Sequence, residues 1–196
     1  MSTSFPDIPE SVPQTDGGFT QWLGRKAFSI SGWQLVGSFP DEPKLLVIVA
    51  PHTSNWDFLV GLAIKMALNL NVSFLGKDAL FKGPLGWWMR KLGGIAIDRS
   101  SPNGVVGQMV AEFEQREKLM LVIAPEGTRK KVDEWKKGFM FIAKDAQIPV
   151  LPVEFDFKHK RVVFHPTCRI DGDVESQLKS IKSIFSAEKA KRPDCF

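Results

Sequence analysis

Leu45-Leu46-Val47-Ile48-Val49-Ala50 runs without a polar residue into Pro51-His52-Thr53-Ser54-Asn55-Trp56-Asp57, and an apolar-periodic stretch, Phe58 to Leu70, leads out. The order is strand, polar elbow, helix. A six-residue run that is apolar on both faces reads as a central, parallel strand. Pro51 disfavours helix at Ala50 and helps to end the strand there. His52 then lies at the carboxyl end of a strand, where open α/β sheets place their ligand sites. Asp57 follows five residues later. On one continuous helix five steps leave two side chains about 140° apart. The two meet only if His52 sits in the loop and the chain folds back toward Asp57. A carboxylate beside an imidazole fixes its tautomer and stabilises the imidazolium, so the pair can act as a general base. A structural hydrogen bond is the common alternative for a lone His–Asp pair, and the rest of the chain has to decide between them.

Working outward, strands alternate with helices. Residues 1–18 carry Pro6, Pro9, Pro13, Gly17 and Gly18 among Ser, Thr and Asp, which predicts a loose, flexible tail. Phe19 to Val36 reads as one helix within a segment 19–38, with Phe19, Trp22, Leu23, Ala27 and Ile30 on one side. Arg25 and Lys26 lie between Trp22 and Trp33, a pattern that suits a membrane interface. Packing on its own domain is the equal alternative, and a helix can do both with different sides. Residues 39–196 form the main domain. Val72 to Leu75 is a short strand, and a cluster of Leu80, Phe81, Leu85, Trp87, Trp88 and Met89 follows around Gly83 and Pro84. Most of that cluster is expected in the core, with one or two rings exposed. Gly93 to Arg99 and Leu119 to Ala124 are further strands, each running into a polar end, with a helix from Gly104 to Glu117 between them. Gly138 to Ala146 is helical. Ile148 to Val153 contains Pro149 and Pro152, which predicts an edge strand or one bent to make room for a pocket. Arg161 to His165 pairs with it as a hairpin, and Val174 to Lys191 reads as a polar terminal helix. The fold class is α/β: a single layered domain with a largely parallel, mixed sheet flanked by helices.

The totals narrow the function. In 196 residues, 43% are apolar and 24% charged, ordinary values for a globular domain with a real core. Fifteen Phe and six Trp with no Tyr suit a core or an acyl-chain surface. A net charge of +4 and a pI near 9.1 favour anionic partners such as phosphorylated substrates, CoA or acidic headgroups. No nucleic-acid recognition module is present. Cys168 and Cys195 form no CxxC pair and are expected as reduced thiols, and His52, His159 and His165 show no metal-ligand spacing. His159 and His165 are expected at the surface. No basic n-region precedes an apolar core, and no run approaches the roughly 20 apolar residues that span a bilayer. A cytoplasmic protein is the expectation.

Three polar clusters follow three strands: His52/Asp57, Asp98/Arg99 and Glu126-Gly127-Thr128-Arg129. In a parallel sheet these ends share one edge. That edge would hold a base, two arginines with planar forks of donors for phosphate, and a glycine that lets backbone approach a ligand. Glu126 could orient an arginine or a substrate hydroxyl. Either arginine alone would suit a surface salt bridge. Two of them beside a histidine suggest a phosphate next to a hydroxyl awaiting deprotonation.

In these residues the chain resembles the glycerolipid acyltransferases, the family of bacterial 1-acyl-glycerol-3-phosphate acyltransferases. His52-x4-Asp57, Gly94-Ile95-Ala96-Ile97-Asp98-Arg99, Pro125-Glu126-Gly127-Thr128-Arg129 and Ile148-Pro149-Val150-Leu151-Pro152-Val153 look like that family's four ordered blocks, over roughly residues 44–165. Any one block is weak, and the four in order are a specific signal. The resemblance implies that His52 is the general base, held by Asp57, and that it deprotonates an acceptor hydroxyl. That hydroxyl attacks an acyl thioester carried by CoA or acyl carrier protein. It further implies that Arg99, Glu126, Gly127, Thr128 and Arg129 bind the acceptor's phosphate and glycerol, with Lys77 adding charge at the same rim. The block around Pro152 would be structural or acyl-facing. No metal or redox cofactor is implied; the partners would be the acyl donor, a lysophospholipid and a membrane surface reached peripherally from the cytoplasmic face. The sequence departs from the family at Pro51, where many relatives carry Asn, at Ala124 and at Lys130-Lys131. The charged stretch Lys130 to Lys137 leaves room for a different headgroup, such as another lysolipid or an aminolipid.

Two rival readings are open to test. Ser54 lies two residues from His52 and could be imagined as the nucleophile of a thioesterase, although no G-x-S-x-G elbow is present. A membrane-bound lipid-binding protein with a silent site is the non-enzymatic alternative, and the intact His52/Asp57 pair argues against it.

Overall fold

In the computed structural model, which describes residues 5–97 and 104–196, the long apolar run becomes an interior strand of a seven-stranded sheet. The elements in chain order are α1 (Gly18–Ser31), β1 (Gln34–Val36), β2 (Lys44–Ala50), α2 (Asn55–Ala67), β3 (Val72–Lys77), α3 (Gly83–Lys91) and β4 (Gly94–Ile97). There follow α4 (Gly104–Gln115), β5 (Leu119–Ile123), α5 (Gly138–Asp145), β6 (Val150–Asp156), β7 (Arg161–Phe164) and α6 (Val174–Lys182). The strand order is β1-β7-β6-β2-β5-β3-β4. Among the described residues every neighbouring pair is parallel except the β6–β7 hairpin.

Alternation along the strands separates two cores, one on each face of the sheet. Leu46, Ile48 and Ala50 of β2 face Met109 and Phe113 of α4, Phe139 and Met140 of α5, and Leu178 and Ile181 of α6. Leu45 and Val47 face Phe28 of α1 and Val60 and Ile64 of α2. β2, β4 and β5 run in the same direction, so their carboxyl ends lie along one edge of the sheet, as expected.

Several expectations are corrected. The stretch from Phe19 to Val36 is not one helix. α1 stops at Ser31 because Gly32 takes a left-handed conformation (φ 75°), and the chain then re-enters as β1. Residues 5–17 are not loose. Val12 is fully buried, Phe5 and Ile8 pack on the α1/α2 core, and the Asn71 amide donates to Pro13 O at 2.9 Å. β6 is not an edge strand. It lies between β2 and β7 and is buried along its whole length. Pro152 is tolerated because its carbonyl accepts from the His165 amide at 3.0 Å. The N–H it lacks would face the same residue, just past the end of β7, so the ladder loses little. The terminal helix ends at Lys182, after which two short 3-10 turns, Ala187–Lys189 and Pro193–Cys195, carry the chain onward. The break turns Phe185 inward against Trp135, with ring centroids 5.5 Å apart.

α1 docks through its buried Gly24 and Phe28. Its opposite side leaves Phe19, Trp22, Leu23 and Ile30 exposed, Ile30 at 85%. α2, packed beside it, exposes Trp56, Phe58, Leu59 and Leu62. Of the aromatic cluster near α3, Phe81 is buried while Trp87 and Trp88 are exposed. No helix among the described residues is long and apolar enough to cross a membrane.

Candidate active site

The elbow after β2 is built by the cap of the helix that follows it. Ser54 is the N-cap of α2, and its Oγ accepts from the Trp56 amide at 3.2 Å. Asp57, the third helical residue, completes the capping box by folding back over the elbow. Its Oδ2 accepts the Thr53 and Ser54 amides, each at 2.8 Å. The same oxygen lies 3.1 Å from His52 Nδ1. The fold-back that the spacing requires is therefore a helix N-terminus, and the residue that caps the helix also holds the imidazole. Asp57 is buried, while the His52 ring is 23% exposed. With Nδ1 turned to a carboxylate, the ring carries its proton there and presents Nε2 as the acceptor. Ser54 Oγ is engaged at the helix cap, which removes the geometric ground for a Ser54 nucleophile.

The third block meets the first at the backbone. β5 lies directly beside β2, so the loops that leave the two strands are neighbours. The His52 amide donates to both carboxylate oxygens of Glu126, at 3.0 and 2.9 Å. Glu126 is buried behind the cleft rather than lining it. Its role is to hold His52's main chain, a task not legible from its place in the motif. Burial, opposed by the His52 amide, pushes its carboxyl up to about 7. Native Glu126 therefore keeps its proton to near neutrality, whereas the unfolded chain releases it near 4.5. Between these values the folded state binds more protons, so stability falls as pH rises from about 4.5 to 7 and levels off above. The contribution is at most about 3 kcal/mol. Glu126→Gln should remove it: in urea denaturation at pH 5 and pH 8, the wild type should lose up to about 3 kcal/mol more than the variant. Equal losses would show that Glu126 titrates normally.

Gly127 adopts φ 67°, and its amide donates to Ala124 O at 3.0 Å. That tight turn places Gly127, Thr128 and Arg129 on the wall of a cleft of about 770 Å³. His52, Thr53, Asn55 and Trp56 form the facing wall, and Lys130 and Arg192 complete the rim. Of the predicted residues, His52, Gly127, Thr128 and Arg129 thus share one cleft, with Asp57 and Glu126 supporting it from behind. Arg99 and Asp98 lie outside the described residues. Lys77 ends β3, and its side chain likewise lies outside the description.

Sequence reasoning missed Arg192. Arg192 lies one residue past the expected terminal helix, in the basic run Lys189 to Arg192, which is the signal for it in the sequence. His165 is only partly exposed, its Nε2 3.7 Å from Glu154 Oε2 and its ring 6.2 Å from that of Phe185. Among the described residues no three His, Cys, Asp or Glu side chains are grouped to hold a metal ion.

The chain is similar to known proteins in sequence and in fold. The sequence model of the family described as Acyltransferase matches residues 38–156. A 1-acyl-sn-glycerol-3-phosphate acyltransferase of Pseudomonas aeruginosa is 30% identical over 144 residues, 69% of this chain and 53% of that protein. The human 1-acyl-sn-glycerol-3-phosphate acyltransferase beta is 35% identical over 120 residues, 58% of this chain and 42% of that protein. The chain thus spans about half the length of the curated relatives it matches. In fold it is similar to the crystal structure of the 1-acyl-sn-glycerophosphate acyltransferase of Thermotoga maritima, with a TM-score of 0.57 at 21% identity, covering 84% of this chain and 78% of that one. The family model matches more than half of the chain, a span that includes the His52–Asp57 pair and the Glu126–Arg129 turn, and this chain belongs to the acyltransferase family.

Proposed function

We propose that this protein transfers a fatty acyl group from an acyl thioester, of CoA or of acyl carrier protein, to a hydroxyl of a lysophospholipid, with 1-acyl-glycerol-3-phosphate as the acceptor and phosphatidic acid as the product. The observation that carries the reading is His52: its Nδ1 is taken by Asp57, and the ring stands on the wall of a cleft that also holds Arg129.

The chemistry follows from that geometry. Nε2 removes the acceptor's hydroxyl proton as the oxygen attacks the thioester carbonyl. Asp57 stabilises the imidazolium that forms. The tetrahedral intermediate collapses by breaking the C–S bond, and the thiolate takes the proton back from Nε2. A thiol of ordinary pKa, about 8.5, is a good leaving group and needs little further acid help. Arg129 and the Gly127–Thr128 backbone suit the acceptor's phosphate and glycerol.

The same reading makes the protein peripheral on the cytoplasmic face of a membrane. What supports this is the exposed apolar side of α1, beside that of α2, whose first turn borders the cleft. Trp and Phe beside the exposed Lys26 suit the headgroup boundary. Replacing Trp22 and Ile30 together by Ser should weaken partitioning onto anionic vesicles about a hundredfold or more, read by co-sedimentation, since each buried apolar side chain contributes roughly 1.5–3 kcal/mol. Unchanged sedimentation would remove α1 from the contact.

The deciding assay is acyl transfer from a long-chain acyl-CoA, and in parallel an acyl carrier protein donor, to 1-acyl-glycerol-3-phosphate in detergent micelles. Phosphatidic acid formed by the wild type supports the reading. Thiol release only with other lysolipids or aminolipids would keep the chemistry and change the acceptor. Lipid binding without release under any pairing would make the protein a lipid-binding module.

A further inference from the structure

The matched acyltransferase region ends at residue 156, yet one rim of the cleft comes from the C-terminal segment. That segment is fastened at successive points. The Phe157 amide donates to Lys189 O at 2.8 Å. Lys189 Nζ lies 2.9 Å from Oε2 of Glu154, a buried carboxylate on β6. Lys191 Nζ sits over the rings of Trp56 and Phe157, at 5.9 and 5.8 Å. The Arg192 amide donates to Thr53 Oγ1 at 3.2 Å, and Thr53, next to His52, is buried. Phe196 then packs on Trp135 with ring centroids 6.4 Å apart.

These anchors hold the backbone and leave the Arg192 guanidinium available. It is 60% exposed at the cleft rim, with a loose contact to Asp194 at 3.9 Å. The described residues of the cleft lining include Arg129, Lys130 and Arg192 and no carboxylate. Three cations on a lining without a carboxylate, with only the exposed Asp194 loosely beside Arg192, make a site for a multiply charged anion. An arginine whose main chain is pinned one residue from the base is suited to a planar, two-pronged grip on phosphate.

We propose that Arg192 is a substrate-binding residue, contributed by the C-terminal segment, that grips a phosphate monoester group of a substrate in the cleft. The inference rests on the acyl-transfer reading and adds a specificity residue outside the matched region. Two substrates carry that chemistry: the acceptor lysophospholipid and the CoA donor.

The test uses Arg192→Ala and Arg192→Lys in the full chain. Neither touches the amide that bonds Thr53, so the elbow keeps its anchor. With Arg192→Ala, KM for one substrate should rise about tenfold, the loss typical of a charge-assisted hydrogen bond. The kcat should stay within about twofold, and Arg192→Lys should recover part of the loss. A rise confined to 1-acyl-glycerol-3-phosphate assigns the acceptor phosphate; a rise confined to acyl-CoA assigns the donor. Binding of 1-acyl-glycerol-3-phosphate and of CoA is measured beside turnover by isothermal titration. Weaker binding by Arg192→Ala in a protein without turnover would keep Arg192 as a phosphate ligand and overturn acyl transfer. Equal binding and equal KM for both ligands in wild type and variant would overturn the assignment, whatever the activity.

Discussion

His52→Ala is expected to lower kcat for acyl transfer by about a thousandfold, within the range for loss of a positioned general base. KM should hardly move, because the ring is assigned to the proton and not to either substrate's affinity. Stability should hardly move either. The bond that fixes His52 in place is made by its amide to Glu126, and alanine keeps that amide. Steady-state kinetics and a urea titration on the same preparation separate the effects. Loss of activity with loss of stability would mean that the imidazole is a packing element. Full activity would remove His52 from the mechanism.

Asp57→Asn should lower kcat by about a hundredfold or more, since the amide lacks the charge that supports the imidazolium. Its consequences divide in a way His52→Ala cannot. An Asn oxygen at the Oδ2 position keeps the Thr53 and Ser54 amides partnered, so the α2 cap survives. Its nitrogen would then occupy the Oδ1 position, which is buried and has no partner in the present structure. A stability loss of about 1 kcal/mol is expected from that unsatisfied donor. Asp57→Ala brings no such donor but leaves the Thr53 and Ser54 amides without their acceptor, and should cost about 2 kcal/mol. Thermal denaturation of the two variants measures the difference, and pH–rate profiles show whether the residual activity depends on an imidazole. If both variants kept wild-type kcat, the carboxylate would be a cap and nothing further.

The parts of this arrangement that were legible in the sequence are those set by short-range chemistry. Leu45 to Ala50 reads as a buried parallel strand because no position in it tolerates water. The five-residue spacing from His52 to Asp57 reads as a fold-back because a continuous helix would separate the side chains. The capping box that performs the fold-back was also available in Ser54 and Asp57. What was not legible depends on neighbours distant in the chain. Pro152 argues for an edge only until His165 is placed opposite it. Residues 5–17 have the composition of a tail, and only the docking groove beside Asn69 and Asn71 makes them part of the body. Glu126 sits in the motif as if to meet a ligand, and adjacency of β2 and β5 turns it toward a backbone amide instead. The apolar stripe of α1 is correctly read as a stripe, but periodicity does not say that the side buried is the one with Gly24 and Phe28. Arg192 reaches the cleft through anchors distant in the chain, among them a hydrogen bond to Thr53 across 139 positions.

Under the proposed mechanism, the shared oxygen of Asp57 also makes catalytic readiness a local folding equilibrium. Helix termini open more easily than strands in the middle of a sheet. When the first turn of α2 frays, the Thr53 and Ser54 amides lose their acceptor and His52 loses its orienting carboxylate in the same event. A protein with its sheet intact can therefore be momentarily disarmed. Hydrogen exchange at those two amides would count the disarmed fraction, and on warming, turnover should fail before the circular dichroism of the sheet does.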